Sequence, residues 1–374
     1  MKDKHKLTLL IYMAADNNLD GAGEEDLESL RKGSIYSDMT IVVQRDRWAF
    51  VDEAETVRYH IKGGEILKEE SLGETNTGDP SVLKKFIEES AEVYPSEKLI
   101  VVIWSHGSGT DDFDIYNGKR ERYFVPEEEI EEIAISFDDS AKDFLDNIEL
   151  QKALEVDVNI DVLGFDACLM GMFEVAYQLR NNAEVMVGSQ HLEPSSGWDY
   201  PRVLEELKLE SSSNEMGENL VKFYTEYYER EGRDDTTQSA LNLKVIKDSA
   251  RYLDDFAKLL LENLESKNDL KYTLLSSQLF NKNEYVDLVD FVHKAKARLN
   301  ITCLDFHADK LLDSLERLIV ANGTSGYGMR DAHGVSVYFP SQKRPFKETF
   351  EMYEKLDFSQ DYPHWVELIK WYYS

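Results

Sequence analysis

The chain has 374 residues, 42% hydrophobic and 11% aromatic, with only 8 prolines and 20 glycines, which excludes a disordered or collagen-like chain. Its 73 acidic residues outnumber 42 basic ones, and the resulting formal charge of −31 repels phosphate backbones and anionic bilayers; nucleic acid and membrane are therefore excluded as general partners. Two cysteines, Cys168 and Cys303, are too few for a disulfide framework and point to a reducing compartment, or to a fold that needs no such bonds.

The predicted elements alternate along the chain. Residues 7–15 form an apolar run after a basic start, but Asp16, Asn17 and Asn18 follow at once with no small-residue cleavage site. The run therefore reads as a buried strand rather than a signal peptide. A helical pattern covers 19–32 and a second apolar run covers 39–43. Polar-rich alternation over 47–75 predicts a β-hairpin. Asp79 and Pro80 give a clean start to a helix over 80–93, as N-cap and first helical residue. Runs at 99–104, 160–165 and 185–188 predict three more strands, with helices over 144–156 and 169–181 between them.

Uninterrupted apolar runs suit strands buried on both faces, and their alternation with helices predicts a mostly parallel α/β sheet sandwiched by helices. Beyond residue 200 the spacing is mainly helical, over 201–230, 248–266 and 285–321, with a late strand at 334–340. This divides the chain into an α/β unit over 1–245 and a helical C-terminal subdomain over 246–374, packed on the sheet. No window reaches the length of a membrane span.

In an open parallel sheet, ligands bind where the strands end. Ser105, His106 and Gly107 follow the run at 99–104; Asp166, Ala167 and Cys168 follow the run at 160–165; Asp16 follows the first. An imidazole and a thiol leaving one sheet edge is the arrangement that thiol catalysis needs. The helix expected from Leu169 would put Cys168 at a positive helix end and acidify it. Taken singly, the cysteine also reads as a core residue and the histidine as a turn residue. Their joint placement, with Gly107 freeing the backbone, favours chemistry.

The strings LIYMAADNNLD (10–20), VVIWSHGSG (101–109), DVLGFDACLMGMFEVAYQL (161–179), QHLEPSSGWDY (190–200) and GVSVYFP (334–340) resemble the clostripain-like cysteine peptidases, a branch of the caspase, legumain and gingipain superfamily. The resemblance spans nearly the whole chain and implies a caspase-like fold. It implies a cysteine endopeptidase in which Cys168 attacks the scissile carbonyl and His106 is the general acid and base. Backbone N–H groups of Gly107 and Cys168 would form the oxyanion hole; no third orienting residue stands out.

The resemblance also implies cleavage after Arg, then Lys, so a carboxylate is expected in the pocket. Asp166 is the first candidate, with a helix-capping role as its competitor; Asp16 and Asp199 are the others. Segment 189–193 is expected to form a pocket wall. Relatives are made as precursors and cut at a basic residue, which directs attention to the long polar insertion at 111–143. Lys119, Arg120 and Arg122 are the candidate self-cleavage sites there. A calcium requirement is a further implication. The acidic run at 127–132 and Asp138 with Asp139 supply oxygen atoms, but no EF-hand spacing places a site. Nothing supports zinc, since no HExxH or CxxC occurs, and Cys303 reads as structural.

Two rivals remain at this level. An α/β-hydrolase esterase is opposed by the absence of a G-x-S-x-G elbow, although HGSG contains Ser108. A non-catalytic binding module on the same scaffold would keep the fold without turnover. A monomer is expected, because the C-terminal residues cover a sheet edge through which caspases pair. Location stays open between the cytoplasm and export from a longer precursor.

Overall fold

A computed structural model describes residues 5–48, 54–110, 135–280, 283–342, 344–345 and 347–374. Strands β1 (His5–Ala15), β2 (Thr40–Arg47), β3 (Val57–Lys62), β4 (Glu65–Ser71) and β5 (Ser96–Trp104) precede the insertion. After it come β6 (Ile135–Asp138), β7 (Asp143–Leu145), β8 (Val162–Asp166), β9 (Val185–Gly188) and β10 (Thr236–Asn242), then β11 (Leu279–Phe280), β12 (Tyr285–Asp287), β13 (Ile319–Ser325) and β14 (Ser336–Tyr338). One sheet runs in the order β13-β10-β9-β8-β5-β1-β2-β3-β4. Its five central strands are parallel, and antiparallel strands extend it on both sides, including the hairpin predicted over 47–75.

The helices are α1 (Asp20–Gly33), α2 (Pro80–Val93), α3 (Asn147–Ala153), α4 (Phe173–Gln178), α5 (Tyr200–Glu206), α6 (Ser213–Glu231), α7 (Ile246–Asn263), α8 (Lys267–Ser276), α9 (Leu288–Arg298), α10 (Leu304–Leu318), α11 (Lys347–Tyr353), α12 (Asp357–Asp361) and α13 (His364–Tyr373). They form two layers. Alternate residues of β1 show why both faces must be covered: Leu10 and Tyr12 enter one core, while Leu7, Leu9, Ile11 and Met13 enter the other. The first core is closed by α2, α3, α4 and α7–α10, the second by α1, α5 and α6. Asp79 caps α2 as its sequence predicts, accepting from Ser81 N at 2.8 Å.

Two expectations need correction. The stretch 285–321 is not one helix. Asp287 ends β12 and caps α9, Cys303 takes a left-handed φ of 65° before α10, and β13 begins at Ile319. Short strands hide inside apolar helical spacing when so few residues carry them. Nor do residues 246–374 stand apart, since β13 pairs with β10 in the main sheet and the helices there share the first core with β8 and α4. Among the described residues no helix is long and apolar enough to cross a membrane.

Glu174 shows how tightly the C-terminal residues are joined to the sheet. It is fully buried on α4 and accepts from Tyr338 N at 2.9 Å and Tyr353 Oη at 2.8 Å. Burial lifts its carboxyl to about 7. Glu174→Ala leaves both donors unsatisfied and is expected to cost on the order of 3 kcal/mol in urea unfolding, whereas Glu174→Gln, which keeps an acceptor, costs under about 1 kcal/mol. A raised carboxyl binds its proton in the folded state first, so its contribution to stability falls as pH rises from the unfolded value toward 7, and Gln should remove that slope.

Candidate active site

β5 and β8 lie side by side with Trp104 opposite Asp166. Ser105 N continues the ladder by donating to Asp166 O at 3.3 Å. His106 and Cys168 each stand two residues beyond that pair, so the two strands deliver them to the same sheet edge. Gly107 lets them approach. A Cβ there would overlap the Cys168 carbonyl oxygen and come within 3.1 Å of Ala167 Cβ and 3.2 Å of Cys168 N.

His106 is held by a residue that sequence reasoning missed. Its Nε2 lies 2.7 Å from Asn18 Oδ1, and its ring meets Phe137 edge-on at 6.5 Å between centroids. An amide oxygen only accepts, so Nε2 carries the proton of the neutral ring and Nδ1 is the basic nitrogen. Asn17, just before, anchors the turn by donating to Ala14 O at 3.1 Å and Phe137 O at 3.0 Å. The usable signal was the Asp-Asn-Asn string after a strand that pairs with the one carrying His106.

Cys168 is not at a helix end. The chain turns through Leu169 at φ 63°, with Leu169 N donating to His191 O at 3.1 Å and Gly171 N to Ser189 O at 2.7 Å. A Cβ on Gly171 would sit 2.8 Å from Ser189 C, so this close crossing requires glycine. Only at Phe173 does α4 begin. The expected helix-end acidification is therefore absent. The thiol instead receives Glu193 N–H at 3.2 Å, with Glu193 O at 3.8 Å. Burial pushes it up to about 12; the Glu193 N–H opposes this, and the Glu193 and Asp166 carboxylates add to it. In this arrangement Cys168 is a protonated thiol.

Asp166 is buried beside it and accepts from Tyr200 Oη at 2.7 Å and Trp198 N at 3.2 Å. It belongs to a carboxyl group of three that includes Asp26 and Glu193. Gly197 lies at φ 57° between two of them, where a Cβ would be 2.9 Å from both Asp166 Oδ2 and Asp26 Oδ2. Trp104 Nε1 donates to Asp26 at 2.8 Å and Gln238 Nε2 to Glu193 at 3.2 Å. Burial raises Asp166 to about 6 against the bonds from Tyr200 and Trp198; burial and then the Asp166 charge raise Asp26 to about 8, and Glu193 rises well above its ordinary value for the same two reasons. Asp26 and Glu193 were not predicted to join Asp166, since α1 is remote in sequence and Glu193 reads as loop.

The other candidates go elsewhere. Asp16 is buried with Asp46 and Asp138 in a separate cluster, and Asp199, before α5, pairs with Arg230 at 3.5 Å. Lys119, Arg120, Arg122 and the run at 127–132 lie outside the described residues. Cys303 is exposed before α10.

The sequence pattern of the clostripain family matches residues 11–372. Clostripain of Hathewaya histolytica is 24% identical over 99% of this chain and 80% of its own length. An inactive zymogen C11 protease from Parabacteroides distasonis superposes with a TM-score of 0.72 at 20% identity, covering 97% of this chain and 99% of that one. A secreted C11 cysteine protease from Bacteroides thetaiotaomicron, solved with an irreversible peptide inhibitor, gives 0.67 at 18% identity over 98% and 99%. With a family match running almost from end to end over this α/β sheet, the chain belongs to the clostripain family of cysteine peptidases.

Proposed function

We propose that the protein is an endopeptidase that cuts after Arg, and less readily Lys, through Cys168 and His106, and that it cuts its own chain at Lys119, Arg120 or Arg122. The observation that carries the specificity is the buried group of Asp26, Asp166 and Glu193 directly behind the nucleophile. Burial raises all three carboxyls, so their ionised forms gain from a cationic partner, and the planar fork of a guanidinium can meet two carboxylates at once.

Catalysis follows from the same atoms. The Cys168 thiol gives its proton to His106 Nδ1 and the sulfur attacks the carbonyl. N–H groups of Gly107 and Cys168 receive the oxyanion. The imidazolium then protonates the leaving amine, and the neutral ring takes a proton from the water that opens the thioester. The raised thiol supports a resting form, in which the backbone of Glu193 engages the sulfur before substrate or chain cleavage displaces it.

Two fluorogenic peptides, with Arg or Asp before the leaving group, test the assignment. Arg-selective turnover that vanishes in Cys168→Ala, together with two fragments on a denaturing gel for the parent only, is the expected result. No turnover after tryptic nicking of 111–137 would sink it. Asp166→Asn should lower kcat/KM for the Arg peptide by at least roughly 100-fold, because one partner of a buried charge pair is lost.

A pH series separates pocket from dyad. The ratio of kcat/KM for Arg over neutral citrulline cancels the chemistry that both peptides share. It should rise with pH between the values of Asp166 and Asp26, about 6 and about 8, since the pocket carboxyls must ionise to receive the guanidinium. A flat ratio would place recognition elsewhere. For the imidazole, Asn18→Ala should reduce kcat roughly tenfold to a hundredfold with KM nearly unchanged and a shifted pH profile, and Asn18→Asp, which keeps an acceptor, should recover part of it.

A further inference from the structure

The turn that carries Cys168 is held by the backbone on either side of Gln190. Ser189 O accepts from Gly171 N at 2.7 Å, and His191 O accepts from Leu169 N at 3.1 Å. Gln190 itself is fully buried, and its side chain spans two other segments. Nε2 donates to Asp287 Oδ2 at 2.9 Å, and Oε1 accepts from Gly334 N at 2.8 Å. An amide can do both at that reach; a glutamate would lack the donor and a lysine the acceptor.

Asp287 is the fixed point of this arrangement. It has no solvent exposure, and besides Gln190 its oxygens accept from Asp290 N at 2.8 Å and His333 N at 2.6 Å. Three N–H donors suit a charged acceptor, and a charge at that depth calls for an opposite one. Among the described residues, His333 is the side chain paired with Asp287 that can carry positive charge, its Nδ1 lying 3.3 Å from Oδ1. Lys294 pairs with Asp290 instead, at 3.6 Å. The groups that act on the half-buried imidazole are Asp287, Asp290 and the backbone of Asp331. Contact with the Asp287 carboxylate lifts His333 above the usual imidazole range, and burial opposes the rise.

We infer that Gln190 and Asp287 are positioning residues that clamp segment 189–191 against the Cys168 turn, and that His333 is the removable counter-charge of this clamp. Its effect on catalysis rests on Cys168 being the nucleophile; the clamp itself does not. With the imidazole charged, Asp287 is neutralised and holds Gln190 and the 333–334 backbone together. Loss of that proton leaves a buried carboxylate without a partner charge, and its grip on Gln190 slackens as water is drawn to it. A raised imidazole gives its full contribution below the unfolded value of 6.5 and loses it as pH rises through the higher folded one. The turn is therefore firmest on the acidic side. Glu193, three residues beyond Gln190, lies outside the clamped stretch and is free to move with substrate.

Hydrogen exchange in the intact Cys168→Ala chain reads the clamp without catalysis. After correction for intrinsic rates, protection of the Leu169, Gly171, Gln190 and Gly334 amides should fall several-fold as the His333 ring titrates above 6.5. His333→Gln should show the lower protection at every pH, and His333→Arg, which keeps the charge, the higher. The same protection in both variants and the parent would overturn the counter-charge. Gln190→Leu, verified as folded by circular dichroism and melting, should lose protection at Leu169 and Gly171; unchanged protection there would overturn the clamp. With Cys168 restored, Gln190→Leu should lower kcat roughly tenfold to a hundredfold with KM nearly unchanged. Undiminished kcat in a variant whose protection has fallen would overturn the positioning role. Protection that follows these expectations in a chain that cuts no peptide would uphold the clamp and sink the proposed cleavage alone.

Discussion

The in-register pairing of β5 with β8 is the constraint on which the rest of the site depends. Parallel neighbours end at the same edge, and with Trp104 set against Asp166 a shift of one residue would turn either partner's side chains to the opposite face. The same strand decides where segment 190–200 lies. Gly164, in the middle of β8, leaves the space into which Trp198 fits; a Cβ there would be 2.6 Å from the indole. That contact lays segment 190–200 across the sheet and brings Gly197 between Asp26 and Asp166. A register chosen by apolar packing thus fixes both Cys168 and the carboxyl beside it.

Burial governs the electrostatics of this edge, and it acts against ionisation everywhere. It raises Cys168, Asp166, Asp26 and Glu193 together, so no group has its charged form favoured by the protein alone. The edge therefore carries less negative charge than its carboxyls would hold in water, inside a chain that is strongly acidic overall. Under the proposed specificity a cationic side chain would change that balance. It would ionise these carboxyls by pairing with them, and a Glu193 drawn toward a guanidinium would carry its backbone away from the sulfur. Substrate recognition and nucleophile activation would then be coupled through one short segment rather than through a distant trigger.

The central sheet was legible because its strands are buried on both faces and read as continuous apolar runs; each of the five runs became a parallel strand. That His106 and Cys168 meet at one sheet edge was legible because they follow two such runs. Asn18 was not, since an Asn in a turn has many local uses and its partner lies on another strand. The helix expected at Leu169 failed for a tertiary reason: Gly171 crosses the segment after β9 too closely for helical geometry, and Met172 bridges to Ser336 instead. Strands β12 and β13 were invisible because three to seven residues within apolar helical spacing carry no period of their own.

The C-terminal residues are better understood as the buttress of the site than as an appended unit. Tyr285 hydrogen-bonds Ser108 O, two residues beyond His106. Ser336 N donates to Gly171 O at 3.0 Å, three residues beyond Cys168. Gln190, which leads into the segment facing the thiol, is gripped from both sides, donating to Asp287 at 2.9 Å and accepting from Gly334 N at 2.8 Å. Asp287 also receives His333 N at 2.6 Å and caps α9. All three loops that meet at Cys168 are therefore tied to β12, to the start of β14 and to the stretch leading into it, and those strands are held in turn by the shared core. A fold that places His106 and Cys168 just past bare strand ends must brace the loops that follow them, and here the last quarter of the chain supplies that bracing.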